Sequence, residues 1–293
     1  MSLSTTGLSF AADSAIDLHL HTTYSDGRWT PEALLDHLRQ EQFGLAAIAD
    51  HDRADTAAAI QRLALDKGLP LLVAVEMTTT WQGEMTDLLC NGFELNQNAL
   101  NVLAQNALND LAQDLLRRQQ ENSREVYESL KRQGYALSPY ALTVLLARPS
   151  SQQPQAWVDL LKEHGYGLGE PSAGKLLKGA GCAFATNDPV AVVEAAHRSG
   201  AVCLLAHPGR GDGWLTYDGL LLDRLRREVP IDGLEVYYPA HTPAQTAMYR
   251  EYARRHHLLT SAGSDSHGPD KPPIKYRAEL SRGLLERAGI QIK

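Results

Sequence analysis

The chain reads as an α/β protein, with strands and helices alternating in the manner of a β/α barrel or a doubly wound sheet. Three observations carry that reading. Short apolar or alternating runs recur at 16–21, 44–50, 70–78, 85–93, 201–207, 232–238 and 258–263, which gives seven candidate strands. Helical patterns fill many of the gaps between them, and most of the histidine and carboxylate residues of interest stand at the ends of the runs.

The helices carry their own punctuation. The pattern at 30–40 opens with Thr30 as N-cap and Pro31 at the first helical position, that at 54–67 closes on Gly68, and that at 243–256 opens on Pro243. The regular spacing fails once, between Phe93 and Ala201. A βα unit takes roughly 30 to 40 residues, so about 70 residues here are surplus. The stretch 99–134 sets Leu100, Leu103, Leu108, Leu111, Leu115 and Leu116 at helical spacing among Gln, Asn and Arg, and shorter helical pieces follow to about 178. This predicts a helical subdomain at 99–185, inserted over the active site of a barrel made of 16–98 and 186–293, with 1–15 as a frayed leader. A long helix on the barrel exterior is the alternative for the leucine-spaced stretch.

Composition narrows the function classes. With 293 residues, 43% hydrophobic and 22% charged, the chain is an ordinary globular protein with ample length for a core. Its 28 Lys and Arg against 35 Asp and Glu leave a formal charge of −7, which argues against broad nucleic-acid binding through surface charge. Cys90, Cys182 and Cys203 are odd in number and set in apolar surroundings, so they read as buried reduced thiols rather than a disulfide framework or a zinc site. No basic residue precedes the apolar piece at 8–12, and no apolar run nears the roughly 18 residues a membrane span needs. The expectation is a cytoplasmic protein without a membrane segment.

The chemistry begins at Asp17-Leu18-His19-Leu20-His21. In a strand, Asp17, His19 and His21 share one face while Ile16, Leu18 and Leu20 take the other, and two imidazoles two residues apart can chelate one metal. His51 follows the second run, Glu76 ends the third, Asp87 lies in the fourth, His207 follows the fifth, and Asp265 and His267 follow the seventh. Strand ends on the carboxyl side are where barrels and open sheets build their active sites. Burying so many ionisable groups together without a cation would cost many kcal/mol, so a shared metal site is the economical account. The set lacks cysteine and is rich in His and carboxylate, which suits Zn²⁺, Mn²⁺ or Fe²⁺. It also exceeds what one ion takes, which points to two or three divalent ions sharing a bridging carboxylate. Such clusters polarise phosphoryl oxygens and lower the pKa of a bridging water so that it is hydroxide at neutral pH.

Five motifs in order resemble those of the PHP (polymerase and histidinol phosphatase) family. They are Asp17 to Gly27, Ala49-Asp50-His51-Asp52, Ala74-Val75-Glu76-Met77-Thr78, Leu205-Ala206-His207-Pro208-Gly209-Arg210 and Gly263-Ser264-Asp265-Ser266-His267-Gly268. The resemblance implies a distorted seven-stranded β/α barrel with a trinuclear metal centre. It places His19, His21, Glu76 and Asp265 around one ion, Glu76 bridging to a second that His207 also holds, and Asp26, His51 and His267 around a third. The insertion and the residues Glu235-Val236 and His241-Thr242-Pro243 resemble the phosphoesterase branch, which includes nucleoside 3′,5′-bisphosphate phosphatases and 5′-to-3′ exoribonucleases. Two positions depart from the family: Asp87-Leu88-Leu89-Cys90 stands where a His-Leu-Leu-Gly pattern is usual, and Arg148-Pro149-Ser150 replaces an Arg-x-His of the insertion.

Four residues are candidates for binding substrate. Arg210 is placed for a bidentate contact to a phosphate, with a surface arginine as the plain alternative. Arg148 and Lys175 of the insertion offer the same charge or are simply solvated. His241, just before a helix, is a candidate anion ligand or general acid. The function expected is hydrolysis of a small phosphate ester, or of a nucleotide or oligonucleotide end, by attack of a metal-bridged hydroxide. The charge of −7 does not oppose this, because three divalent ions would bring the chain close to neutral and make the local field positive. An amidohydrolase-like hydrolase is less well supported, since no strand-end lysine is available for carbamylation. A ligand-binding or regulatory module that keeps the fold without turnover is the non-enzymatic alternative.

Overall fold

A computed structural model of the chain describes residues 7–93, 95, 107–211 and 213–293. Positions 1–6 of the expected leader, and Leu100 and Leu103 of the leucine-spaced stretch, lie outside the described residues. Strands form at each of the seven expected places: β1 (Ala15–Leu20), β2 (Leu45–Ile48), β3 (Leu71–Met77), β4 (Leu88–Asn91), β5 (Val202–Leu205), β6 (Gly233–Tyr237) and β7 (Leu259–Ala262). They lie side by side in chain order in one sheet, and a short strand β8 (Tyr276–Arg277) pairs antiparallel with β1. Beyond β7 the chain returns to β1: the amide of Asp265 donates to the carbonyl of His19 (2.9 Å), and that of His21 donates to Ser266 (3.0 Å). The sheet is thereby a nearly closed mixed barrel.

Helices α1 (Pro31–Gln40) and α2 (Ala57–Asp66) make the first two crossovers. The Thr30 hydroxyl caps α1 by accepting from the amide of Ala33. Alternate residues sort to the two faces of the sheet. Leu45, Ala47, Leu72, Ala74, Leu89 and Leu204 join one interior cluster, while Ala46, Ile48 and Leu71 pack outward against Leu34, Leu35 and Leu38 of α1 and Ile60 of α2. Each fully buried leucine contributes about 2 kcal/mol through removal of apolar surface from water. Further along the inward rows come His51, Glu76 and Asp87, so the active end is set by the same alternation that builds the core.

Two details differ from the sequence reading. Strand β4 runs antiparallel to both β3 and β5 rather than parallel. A parallel connection needs a crossover of a dozen or more residues, and only 78–87 separates β3 from β4, so the chain turns back. This brings Asp87, at the start of β4, beside the carboxyl ends of its neighbours. In β1 the pairing with β2 shifts register between Asp17 and Leu20, and strict alternation ends there. Ile16 and Leu18 stay in the interior cluster, Leu20 packs with α1, and Asp17 accepts from the amides of His19 (3.3 Å), Ser264 and Ile274 (both 2.9 Å).

Contacts divide the chain into a unit of Met1–Leu111 with Asn187–Lys293 and a second unit of Ala112–Thr186, where the sequence placed an insertion at 99–185. Helix α3 (Ala107–Arg132) spans the first division, and α4 (Pro139–Leu146), α5 (Gln153–Glu163) and α6 (Ala173–Ala180) complete the second unit. That unit has its own core around Val126, Leu130, Trp157, Leu161 and Leu177. The barrel unit resumes with α7 (Pro189–Arg198), α8 (Gly219–Glu228), α9 (Pro243–Arg255) and α10 (Arg282–Arg287). Cys90 and Cys203 are buried and face each other as free thiols, in S–H···S contact at 3.8 Å across β4 and β5, whereas Cys182 is only partly buried. No helix among the described residues is long and apolar enough to cross a membrane.

Candidate metal centre

The barrel gathers donors from six strand ends around Glu76. One oxygen of Glu76, Oε2, lies 2.9 Å from His19 Nε2, 3.1 Å from His21 Nε2 and 3.2 Å from His51 Nε2. The other, Oε1, lies 3.1 Å from His207 Nε2. Asp265 Oδ1 adds contacts of 3.1 Å to His21 and 3.4 Å to His267 Nδ1, and His267 Nε2 reaches Asp26 Oδ1 at 3.4 Å. Three sets of donor atoms lie within 4.8 Å of one another: His19, His21, Glu76 and Asp265; His21, Asp26, His51 and His267; and His51, Glu76 and Asp87. His207 and Asp265 hold their places with φ of 27° and 54°, left-handed backbone that non-glycine residues adopt only where the surroundings enforce it.

These groups satisfy one another only in part: His19 and His207 hydrogen-bond Glu76, and other donor atoms are left over. Both ring nitrogens of His21 and the Oδ1 atoms of Asp26, Asp87 and Asp265 are buried without a hydrogen-bond partner. Orphaned donors of this kind, converging from several strands and chemically suited to a divalent ion, fit a metal site. The electrostatics agree. Burial alone would lower the pKa of His21, but Asp265 and Glu76 outweigh it and hold it at about 10. Burial would likewise raise Asp265 and Asp26, and the surrounding histidines hold both well below the usual carboxylate range. Asp87 goes the other way: burial, then the charges of Glu76 and Asp52, push it well up, and the nearby Arg210 offsets them only in part. That is the position where a cation would relieve the most repulsion.

Several supporting residues escaped sequence reasoning. Glu235, fully buried on β6, accepts from His19 Nδ1 (3.0 Å) and from the amide of His207 (2.9 Å), fixing two candidate ligands with one carboxylate. Carboxylates in this role set the tautomer and orientation of a ligating imidazole. Asp50 accepts from the amide and hydroxyl of Thr22 and from the hydroxyl of Ser25, which ties down the loop that carries Asp26. Asp52 accepts from the amide of Thr78 and is pushed up to about 7 by burial. A buried carboxylate on a barrel strand, as at Glu235, is itself the signal that finds such residues.

The substrate candidates separate. Arg210 is half-buried at the centre, with its guanidinium 3.6 Å from Asp265 and stacked over the ring of Trp214 at 4.7 Å. Arg148 and Lys175 are exposed residues of the helical unit, and the Lys175 ammonium is paired with Glu170 at 2.7 Å. His241 has both ring nitrogens engaged by the backbone. Its Nε2 accepts from the Gly209 amide and its Nδ1 donates to the Val236 carbonyl, both at 3.0 Å, so neither nitrogen is free to protonate a leaving group. Away from the cluster, His197 pairs with Asp232 and His164 with the carbonyl of Leu160.

No family model matches the chain. It is, however, 30% identical over 284 residues to the 5′-3′ exoribonuclease Rnm of Escherichia coli, covering 94% of this chain and 91% of that protein. The chain belongs to the PHP family of metal-dependent phosphoesterases. A 3′,5′-nucleoside bisphosphate phosphatase of Chromobacterium violaceum is 26% identical, over 88% of this chain and 93% of that one. A solved structure from Bifidobacterium adolescentis, described as a metal-dependent phosphoesterase, superposes with a TM-score of 0.71 at 22% identity, covering 94% of this chain and 96% of its own, and so shares the fold. As a PHP phosphoesterase the chain is a hydrolase of phosphate esters, and its cluster of His, Glu and Asp suits divalent metals.

Proposed function

We propose that the chain removes a terminal phosphate or nucleotide from a small phosphorylated substrate of the nucleotide class, using two or three divalent ions held at the strand ends. The observation that carries this reading is the position of Glu76, with one oxygen toward His19, His21 and His51 and the other toward His207. His19, His21, Glu76 and Asp265 would hold one ion, Asp26, His51 and His267 a second, and Glu76, Asp87 and His207 a third. The last set is the richest in oxygen and suits Mn²⁺, whereas the set of His51 and His267 with Asp26 suits Zn²⁺ or Fe²⁺. Ions held there supply an activated water at neutral pH and neutralise charge on the phosphoryl group.

The chain's own residues do the rest. Arg210 is positioned to take a phosphate oxygen beside the cluster, and the plane of Trp214 keeps its guanidinium from swinging away. Glu235 holds His19 in its tautomer and braces the main-chain amide of His207. The relatives named an exoribonuclease and a bisphosphate phosphatase support a nucleotide-type substrate, since both names describe hydrolysis at a phosphate carried by a nucleotide. The test is to strip the protein with chelator, restore Mn²⁺ or Zn²⁺, and assay 3′,5′-bisphosphate nucleotides, 5′-phosphorylated oligonucleotides and 4-nitrophenyl phosphate. Metal-restored hydrolysis of a nucleotide substrate is expected; activity indifferent to metal, or a single tightly closed ion with no turnover, overturns it.

A further inference from the structure

The structure assigns His241 as a positioning residue: it clamps the turn His207-Pro208-Gly209-Arg210 so that His207 meets Glu76 and Arg210 meets Asp265. This rests on the function proposed above, because the turn carries one candidate metal ligand and the candidate phosphate-binding arginine.

The case begins with the turn. Its backbone is constrained from several sides: the amide of His207 donates to Glu235 (2.9 Å), that of Arg210 to the carbonyl of His207 (3.0 Å), and that of Tyr217 to the carbonyl of Pro208 (2.8 Å). His207 at its head has φ of 27°, a conformation that persists only when neighbours impose it. The amide of Gly209 is the remaining donor, buried, and His241 Nε2 is what it meets, at 3.0 Å. The Nδ1–H of the same ring donates to the carbonyl of Val236 on β6, also at 3.0 Å, which fixes the tautomer and anchors the clamp to a barrel strand.

Helix α9 completes the grip. Thr242 and Gln245 form a capping box at its start, and the Gln245 amide nitrogen donates to the carbonyl of Gly209 (3.2 Å). His241 and Gln245 therefore hold both polar groups of one residue. The fit leaves no room for a side chain: a Cβ on Gly209 would lie 2.8 Å from Gln245 Nε2, 2.9 Å from the His241 ring and 2.9 Å from the Tyr249 hydroxyl. A histidine so committed shapes the site without touching the substrate.

The experiment compares His241→Leu, which fills the space without hydrogen bonds, with His241→Gln, whose amide offers an acceptor and a donor on one planar end. Hydrogen–deuterium exchange over 207–211, metal content per chain, and kcat and KM on 4-nitrophenyl phosphate are measured on the full chain. Expected for His241→Leu are exchange at least tenfold faster in that segment, a KM raised about tenfold and metal affinity weakened about tenfold to a hundredfold, with His241→Gln recovering most of each. Wild-type exchange in His241→Leu, or an equal loss of kcat in both variants with KM and metal unchanged, overturns the assignment, the latter in favour of proton transfer. If His241→Leu does not fold, Gln245→Leu releases the same turn from its other side and is read by the same exchange criterion. The exchange readout needs no turnover, so a wild-type chain without metal-dependent hydrolysis defeats the proposed function and still leaves the clamp to be decided.

Discussion

Glu76 Oε1 faces His207 Nε2 at 3.1 Å, while its other oxygen stands 2.9 Å from His19, so one buried carboxylate lies between donors from opposite parts of the barrel. Glu76→Gln keeps the shape and removes the charge. The expected result is loss of at least one bound ion per chain and a fall in kcat of a hundredfold or more, read by elemental analysis and steady-state kinetics.

Glu235 reaches no ion of its own in this account; it orients His19 and braces the amide of His207. Glu235→Gln is expected to weaken metal binding about tenfold to a hundredfold. Competition with a chromogenic chelator measures it, and unchanged affinity would remove Glu235 from the supporting role.

Gly263 ends β7 where no side chain fits, since a Cβ there would strike the Cβ of His19 and approach Glu235 Oε1 to 2.6 Å. Gly263→Ala is expected to cost about 1–3 kcal/mol, as overpacking does. The melting temperature should fall and metal content should fall with it, because the displaced residue is His19.

The histidines predict a proton count. In the metal-free chain His21 sits at about 10 against an ordinary 6.5, since Asp265 and Glu76 outweigh the effect of burial. A histidine raised in the fold contributes stability that is full below about pH 6.5 and is lost as pH rises through about 10. Metal needs the neutral ring, so binding near pH 7.5 must expel protons. Titrating Mn²⁺ into stripped protein in buffers of different ionisation enthalpy should give different heats; equal heats would contradict the protonation described.

Arg210→Ala is expected to raise KM about tenfold with little change in kcat, and Arg210→Lys to recover little, because the planar guanidinium stacks on Trp214 and, in the role proposed for it, would grip two phosphate oxygens. A kinetic comparison on a nucleotide substrate checks both.

Much of the barrel was legible in the sequence because its strands are short and sharply bounded, and because the inward rows pass directly from Leu72 and Ala74 to Glu76. The motif series also marked out the residues that meet at the centre. Three features were hidden for physical reasons. Strand β4 has the composition of its neighbours, and only the shortness of 78–87 betrays its reversal. The register shift in β1 commits the Asp17 carboxylate to backbone amides, that of His19 among them, which strict alternation cannot foresee. The role of His241 depends on two backbone groups, the amide of Gly209 far off in the chain and the carbonyl of nearby Val236, and a motif scan sees side chains only.

The central claim is that strand-end residues hold the divalent ions on which hydrolysis depends. Elemental analysis of wild type, His19→Ala and Asp265→Ala, each paired with its activity on a nucleotide substrate, tests it most directly. Two or three ions per wild-type chain are expected, with metal content and activity falling together in both variants. Full metal content in the variants, or full activity without metal, would contradict it.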